Sequence, residues 1–183
     1  RAAGECTVVH AGSMGVPNAL DVLLDAAARL RDERLRFVLV GDGHERPRLV
    51  QRIADEGLAR VQWFEPVPKT QVPALLAGAD IAYLGWRRVP IYRFGIAPNK
   101  LMDYLMAGCC VLHAVEAGND PVAEADCGLT VAPEDPDAVA AGLRRLAALP
   151  ADARRAMGNR GRSFVLAHHT YPVLARRFLE ALA

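Results

Sequence analysis

Six short apolar runs alternate with longer helical patterns, and this alternation constrains the fold of the chain most. The runs cover residues 6–10, 37–40, 61–64, 81–84, 110–113 and 129–131. Helical patterns lie between them, at residues 18–31, 44–56, 71–78, 98–107 and 120–125. Strands of continuous apolar character are buried on both faces, as in a parallel sheet, so the pattern predicts repeated βαβ units. We therefore predict an α/β fold: a Rossmann-like, doubly wound parallel sheet of six strands in the order 3-2-1-4-5-6, with helices on both faces.

The pattern changes after Val131, where three further helices follow without an intervening strand. They begin near residues 133–137, 150–152 and 171–172. We expect these extra helices to cover the sheet or to brace it against another domain. The first residue is Arg1, and a strand-like run follows within a few residues. We therefore expect residues 1–183 to be a single domain taken from a longer protein.

Composition and charge narrow the functional classes. The chain has 183 residues, 52% of them hydrophobic and 23% charged, which suits one globular domain with its own core. The net charge of +1 gives no support for a nucleic-acid partner or for binding to an anionic membrane. We expect a cytoplasmic protein whose membrane contact, if there is any, is peripheral and on the inner face.

The four cysteines (Cys6, Cys109, Cys110 and Cys127) form no CxxC pair, and no histidine stands at metal-ligand spacing from them. Buried, reduced thiols are the expected state, which fits a cytosolic redox environment.

Ligands of a doubly wound sheet bind outside the carboxyl ends of the strands, where loops carry glycine. The loop after the first strand holds Gly12, Ser13 and Gly15, whose backbone amides can approach a phosphate. A tight strand-to-helix turn is the plain alternative. The loop after the second strand holds Gly41 and Gly43, two glycines of the dinucleotide fingerprint without the third. Its place after the second strand argues against an NAD site.

The loop after the third strand contains Val67 and Pro68 between further proline and lysine residues. An extended backbone of this kind can read the edge of a base, although a rigid connector would look the same.

The fourth loop, Gly95 to Asp103, is the most informative. Pro98 and Asn99 mark a helix start, and Lys100 and Asp103 share one face of its first turn. A lysine here can neutralise phosphate, and a carboxylate can accept hydrogen bonds from ribose hydroxyls. The alternative is a local surface ion pair between Lys100 and Asp103.

The segment Asp135-Pro136-Asp137 is formally a DxD motif, a pattern with which some enzymes bind a metal–diphosphate. It stands directly before an Ala-rich helix, where acidic residues cap backbone N–H groups and suit the helix dipole. We interpret it as a cap and predict neither a metal nor another cofactor.

Taken in order, several segments resemble the C-terminal domain of family-4, or group 1, glycosyltransferases of GT-B fold. They are Gly12-Ser13-Met14-Gly15, Val40-Gly41-Asp42-Gly43, Pro66-Val67-Pro68, Ala79-Asp80-Ile81, Asn99-Lys100-Leu101-Met102-Asp103-Tyr104, Cys127-Gly128-Leu129-Thr130-Val131 and Arg155-Ala156-Met157-Gly158-Asn159-Arg160. The match is most similar to the bacterial branch that builds surface polysaccharide and lipopolysaccharide.

The resemblance implies a domain that binds a UDP-sugar donor for retaining, hexosyl-type transfer. The acceptor would bind to an N-terminal domain of the same protein, absent from this chain, so this domain alone is expected to be inactive. UDP itself is implied by the family, and GDP is left open.

Two departures from the family pattern affect the candidate site. Asp103 corresponds to the second acid of the family's E-x7-E motif, which binds the ribose, but Gly95 stands where the first acid would contact the sugar. Amides around Gly95 and Ile96 would then hold the diphosphate or the sugar. The stretch from Gly12 to Asp21 has no basic residue. Lys100 is therefore the expected stabiliser of the diphosphate, with Lys69 and Arg93 as weaker candidates. No catalytic base is assigned.

Two other classes stay open. A non-hydrolysing UDP-sugar 2-epimerase shares the architecture, but its paired acids and histidines have only loose counterparts here, in His44, Glu45, His113 and Glu116. A non-catalytic α/β binding module is the second alternative, and nucleotide binding would distinguish it from the enzyme.

Overall fold

The computed structural model describes residues 4–182 and contains one six-stranded sheet in which every pair of neighbours is parallel. The strands are β1 (Cys6–Ala11), β2 (Leu35–Val40), β3 (Val61–Phe64), β4 (Ile81–Gly85), β5 (Cys110–Ala114) and β6 (Gly128–Thr130). Their order is β3-β2-β1-β4-β5-β6. The predicted doubly wound topology is confirmed.

Among the described residues, eight α-helices connect or follow the strands. They are α1 (Leu20–Arg29), α2 (Arg46–Asp55), α3 (Val72–Leu76), α4 (Asn99–Met106), α5 (Pro121–Glu124), α6 (Pro136–Ala148), α7 (Ala151–His168) and α8 (Tyr171–Leu182). Short 3-10 helices at Val16–Asn18, Lys69–Gln71 and Pro90–Phe94 were not predicted. Each begins beside a proline and is too short to show a hydrophobic period.

The two faces of the sheet carry separate hydrophobic clusters, because successive strand residues point in opposite directions. Val8 and Phe37 belong to the cluster that includes α1, α2 and α6. Val9 and Val38 belong to the cluster that includes α3, α4, α5 and α7. Both faces are therefore covered, which explains the continuous apolar character of the strands.

The three C-terminal helices play two different roles. Helix α6 packs against α1 and β5, and α7 packs against α4 and β5, so both cover the sheet as expected. Helix α8 contacts α7 but has no buried residue. Its large exposed apolar side chains are Tyr171, Leu174, Phe178, Leu179 and Leu182.

The DxD segment is a helix cap. The Asp135 carboxylate accepts hydrogen bonds from the N–H groups of Asp137 at 3.0 Å and Ala138 at 2.9 Å. Asp137 forms an ion pair with Arg29 at 2.6 Å. Both carboxylates are thus used within the fold, and the capping interpretation is confirmed.

The four cysteines are buried and free of disulfide bonds, as expected. Burial raises the pKa of the Cys109, Cys110 and Cys127 thiols to about 12. In the part of the chain that the structure describes, no helix is both long and apolar enough to cross a bilayer.

Candidate functional site

The four loops singled out in the sequence meet at one cleft of about 380 Å³, at the carboxyl ends of β1 and β2. The lining residues are Ala11, Gly12, Ser13, Val40, Gly41, Asp42, Pro66, Val67, Lys69, Val72, Lys100 and Asp103. Six of the predicted site residues therefore line it: Gly12, Ser13, Gly41, Val67, Lys100 and Asp103. This is the edge of the sheet at which doubly wound folds bind ligands.

The first two loops are joined through their backbones. Gly12 N–H donates to the Val40 carbonyl at 2.9 Å, and Met14 N–H donates to the Asp42 carbonyl at 2.8 Å. A Cβ atom on Gly41, whose φ is +147°, would lie 1.8 Å from the carbonyl oxygen of Gly12. Gly41 is therefore required for the close approach of the two loops that shape the cleft wall.

Gly43 and Gly15 were expected to bind nucleotide, but neither lines the cleft. Gly43 packs against the backbone of Met14, and a Cβ atom on Gly43 would lie 2.6 Å from the Met14 carbonyl oxygen. Gly15 precedes the 3-10 helix Val16–Asn18 and lies near Pro17 and His44. Glycines that serve backbone contact and glycines that serve a ligand look identical in a sequence, so the spacing alone did not separate them.

Lys100 lies across the floor of the cleft. Its Nζ donates a hydrogen bond to Asn18 Oδ1 at 2.8 Å and lies 3.4 Å from His10 Nε2. A Cβ atom on Gly12 would come within 2.7 Å of Lys100 Cε, so the glycine leaves room for the lysine stem. Burial lowers the pKa of Lys100 to about 8. Within residues 4–182 no carboxylate lies at ion-pair distance from this ammonium group, which therefore carries an uncompensated charge.

His10 lies beneath the lysine at the end of β1 and is fully buried. Burial, together with the neighbouring Lys100 charge, lowers the pKa of His10 to about 3. The ring is neutral at physiological pH and cannot compete with Lys100 for an anion. Sequence reasoning did not select His10, because a single histidine in an apolar strand gives no signal of its neighbours.

Tyr104 fixes helix α4 to the end of β1. Ala11 N–H donates to the Tyr104 hydroxyl at 2.9 Å, and that hydroxyl donates to the Ala11 carbonyl at 3.2 Å. Both contacts are buried, and they attach α4 to the end of β1 beside the cleft.

A Tyr104→Phe variant is expected to lose about 1–3 kcal/mol of unfolding free energy, because the buried Ala11 N–H would be left without a partner. Urea denaturation measures this loss. Tyr92→Phe is the control, since the Tyr92 ring stacks on Trp86 but its hydroxyl makes no hydrogen bond within the described residues. Equal stability of the two variants would show that the Tyr104 hydroxyl does not hold α4.

Asp103 forms an ion pair with Lys69 from the third loop, and the side chain of Lys69 is 72% exposed. The local Lys100–Asp103 surface pair considered from the sequence is therefore absent, because each side chain has another partner. Val67 lies half-buried on the same wall and packs against the hydrophobic cluster of α3 and α4. Pro68 is exposed outside the cleft, where its carbonyl accepts a hydrogen bond from Gln71 N–H at 2.8 Å.

Gly95, Ile96 and Asn99 do not line the cleft. Gly95, with φ +104°, donates its N–H to the Tyr92 carbonyl at 2.9 Å. Ile96 N–H donates to Asn119 Oδ1 at 2.7 Å, and Asn119 Nδ2 donates to the Ile96 carbonyl at 3.0 Å. The two amides expected to hold a diphosphate or sugar are thus engaged within the protein. Asn119 comes from the loop after β5, and nothing in the sequence indicated this contact.

A larger depression of about 460 Å³ lies apart from the cleft. It is lined by Arg88, Val89, Pro90, Arg93, Glu116, Ala117 and Gly118. Arg88 is paired with Glu116 at 3.1 Å, and Arg93 lies over the Phe94 ring. Arg93, a weaker candidate for the phosphates, therefore belongs to this depression and not to the cleft.

The residues considered for an epimerase do not converge on the cleft. None of His44, Glu45, His113 and Glu116 lines it. His113 is buried near Thr130 and Asp120, and Glu116 pairs with Arg88. Among residues 4–182, no group of three or more histidine, cysteine or acidic side chains is placed to hold a metal ion.

Comparison with known proteins agrees with this architecture. Residues 5–148 match the family described as "Glycosyl transferases group 1". The chain is 31% identical, over 78% of its length, to 36% of a putative colanic acid biosynthesis glycosyl transferase, WcaI, of Escherichia coli K12.

Two solved structures that share this fold cover nearly the whole chain. Sucrose-phosphate synthase of Thermosynechococcus elongatus superposes with a TM-score of 0.84 at 22% identity, over 100% of this chain and 46% of that protein. Anabaena HepE, in complex with UDP and glucose, gives a TM-score of 0.78 at 19% identity, over 98% of this chain and 48% of HepE. The chain thus spans about a third of the curated relative and about half of each structural neighbour.

Proposed function

Since this chain belongs to the group 1 glycosyltransferases, we propose that its cleft binds the nucleoside-diphosphate part of a sugar donor, with UDP as the nucleotide. The observation that carries the proposal is the uncompensated ammonium of Lys100 on the cleft floor. A buried cation without a carboxylate partner is costly, and an anionic ligand would relieve that cost. The complex of the structural neighbour HepE with UDP and glucose supports the choice of nucleotide.

Each wall of the cleft suits one part of the donor. Lys100, with the Ser13 backbone N–H beside it, would hold the diphosphate, while the Gly12 N–H stays bound to the Val40 carbonyl. Asp103, one turn along α4, would accept hydrogen bonds from the ribose hydroxyls. The segment at Val67 would contact the base, and Gly41 would keep the first two loops close enough to form the wall.

We propose retaining transfer of a hexosyl-type group to an acceptor in lipopolysaccharide or another surface polysaccharide. When the bond from the anomeric carbon to the donor phosphate breaks, negative charge grows on the leaving diphosphate. Lys100 would stabilise that charge in a partly dry cleft, an effect that can lower a barrier by about 3 kcal/mol per donor. The surface-polysaccharide role is supported by the 31% identical relative, whose name assigns it to colanic acid biosynthesis.

The acceptor and any catalytic base would belong to an N-terminal domain of the same protein. The partial coverage of the structural neighbours, 46% and 48%, supports this proposal. The exposed apolar face of α8 offers a surface that such a domain could cover. This chain alone would then bind the donor without turning it over, at the cytoplasmic side of the membrane and with peripheral contact at most.

Calorimetric titration of UDP, UDP-glucose and GDP into the chain tests the nucleotide assignment. We expect binding of both uridine nucleotides and weaker binding of GDP. A chain that binds none of the three would favour the non-catalytic module.

The ribose assignment predicts that the parent chain binds UDP about tenfold or more tightly than 2′,3′-dideoxy-UDP, and that Asp103→Asn removes this preference. An amide keeps the shape of the carboxylate but gives up charge-assisted hydrogen bonds, which are the stronger ones. The ion pair with Lys69 is exposed and worth little, so the hydroxyls can replace it. Calorimetry with both nucleotides measures the ratio.

Lys69→Met is the matched control for Asp103→Asn, because it removes the same ion pair and leaves the carboxylate in place. It should retain the preference for UDP over the dideoxy nucleotide. If Asp103→Asn also retained it, Asp103 would not contact the ribose.

A further inference from the structure

The Lys100 ammonium is held by two side chains that are both neutral. Asn18 Oδ1 accepts a hydrogen bond from Nζ at 2.8 Å, and His10 Nε2 lies 3.4 Å from the same nitrogen. We propose that His10 and Asn18 are positioning residues, which fix Lys100 on the cleft floor without neutralising it and so reserve its charge for an anionic diphosphate. This inference rests on the proposed function of the cleft.

Both acceptors, Asn18 Oδ1 and His10 Nε2, are neutral, and together they do not use all the donors of the ammonium group. An ammonium group has three N–H donors, so two neutral acceptors leave one donor for a ligand. A carboxylate in either place would form an ion pair and cancel the positive charge that a phosphate requires. The nearest acidic side chain on the same helix, Asp103, is kept apart by its own pair with Lys69.

Asn18 is buried and fixed by its surroundings. It ends the short 3-10 helix Val16–Asn18, and its N–H donates to the Gly15 carbonyl at 3.0 Å. The preceding carbonyl, that of Pro17, accepts a hydrogen bond from Arg87 N–H at 2.9 Å. The backbone that carries the Asn18 side chain is therefore held in place from both the first loop and the loop after β4.

His10 has the lone pair that this role needs. The groups that face its ring are the Lys100 ammonium and the carbonyls of Ser13 and Tyr83. Nε2 lies 3.4 Å from both Lys100 Nζ and the Ser13 carbonyl oxygen, and among the described residues Nδ1 has no hydrogen-bond partner. With the hydrogen on Nδ1, Nε2 can accept from Lys100. The lowered pKa of the buried ring, about 3, keeps it neutral at physiological pH. The groups that face Lys100 are His10 and Asn18, with Asp42, Asp103 and Lys69 elsewhere in the cleft.

The chain offers an unusually clear readout, because Lys69 and Lys100 are its only two lysines. Labelling lysine with ¹³C at Cε gives two NMR signals, and Lys69→Met assigns them. Titration of the Lys100 signal reports its protonation directly. The pH profile of UDP-glucose binding reports the same ammonium group. The diphosphate of UDP-glucose is esterified at both ends and has no ionisation near neutral pH, so its charge stays constant while Lys100 titrates.

Asn18→Asp is the decisive variant, because it keeps the shape of the side chain and adds a charge. We expect it to raise the pKa of Lys100 and to weaken UDP-glucose binding about tenfold or more, because the new carboxylate pairs with the ammonium and repels the diphosphate. We expect His10→Leu to weaken binding several-fold and to alter the Lys100 titration. His10→Gln, whose Oε1 can accept from Nζ in place of Nε2, should restore both.

The outcomes separate this inference from the proposed function. If Lys100→Met binds UDP-glucose as tightly as the parent, the assignment of Lys100 to the diphosphate is wrong. If Lys100→Met weakens binding while Asn18→Asp leaves both the affinity and the Lys100 titration unchanged, the diphosphate assignment stands and the positioning role is refuted. Should His10→Leu fail to fold, as circular dichroism would show, Asn18→Asp and His10→Gln decide the question.

Discussion

A Lys100→Met variant is expected to bind UDP about 100-fold more weakly than the parent chain and yet to be more stable against unfolding. The loss of affinity follows from removing a charge-assisted contact to the diphosphate. The gain in stability follows from burial, which lowers the pKa of Lys100 from 10.5 to about 8. Methionine has a similar unbranched shape and no charge to bury.

The size of the stability gain depends on pH. The folded protein disfavours the protonated lysine, so the cost is fully present below about pH 8 and disappears as the pH rises toward 10.5. After allowance for the lost contact to Asn18, we expect Lys100→Met to gain about 1–2 kcal/mol at pH 7 and nothing above about pH 10.5. Urea denaturation at several pH values measures the gain.

Lys69→Met is the matched control for stability, because the Lys69 side chain is 72% exposed and its removal should leave the unfolding free energy nearly unchanged. A Lys100→Met variant that is less stable than the parent and binds UDP normally would show that the lysine is structural. If Lys100→Met is more stable against unfolding and binds UDP more weakly, the lysine serves binding at a cost to stability.

A Gly41→Ala variant is expected to lose about 2–4 kcal/mol of unfolding free energy and to lose UDP binding. The new Cβ atom would lie 1.8 Å from the Gly12 carbonyl oxygen, and the φ of +147° is one that L side chains rarely adopt. Separating the two loops would also break the hydrogen bond from Gly12 N–H to the Val40 carbonyl. Chemical denaturation and calorimetry measure the two losses.

Gly78→Ala is the control, because its Cβ would make only an ordinary contact, 3.5 Å from the Leu75 carbonyl oxygen. We expect it to change stability by about 0.5 kcal/mol or less. If Gly41→Ala were as stable as Gly78→Ala, the wall of the cleft would not depend on the close approach of the first two loops.

The fold was predictable because its determinants are local. The central strands, such as β2 with its run from Phe37 to Val40, are largely apolar because both faces of the sheet are covered. The helix beginning at Asn99 followed from the proline before it. The strand order followed from the general topology of doubly wound sheets.

The detail of the site was less predictable, because side-chain partners are set by tertiary packing. Lys100 meets Asn18 from 82 residues away and His10 from 90 residues away, and no periodicity encodes those contacts. Asp103 pairs with Lys69, which is 34 residues away in the sequence. It does not pair with Lys100, which lies on the same helical turn. The motifs located the cleft, whereas the network within it required the structure.

Binding of a nucleoside diphosphate over Lys100 can be observed in a ¹H–¹⁵N NMR titration of the chain with UDP. We expect the largest amide shifts at Gly12, Ser13, Gly41, Lys100 and Asp103, and we expect Lys100→Met to abolish them. Shifts centred on Arg88, Arg93 and Gly118, or no shifts at a saturating concentration of UDP, would show that the diphosphate does not bind there.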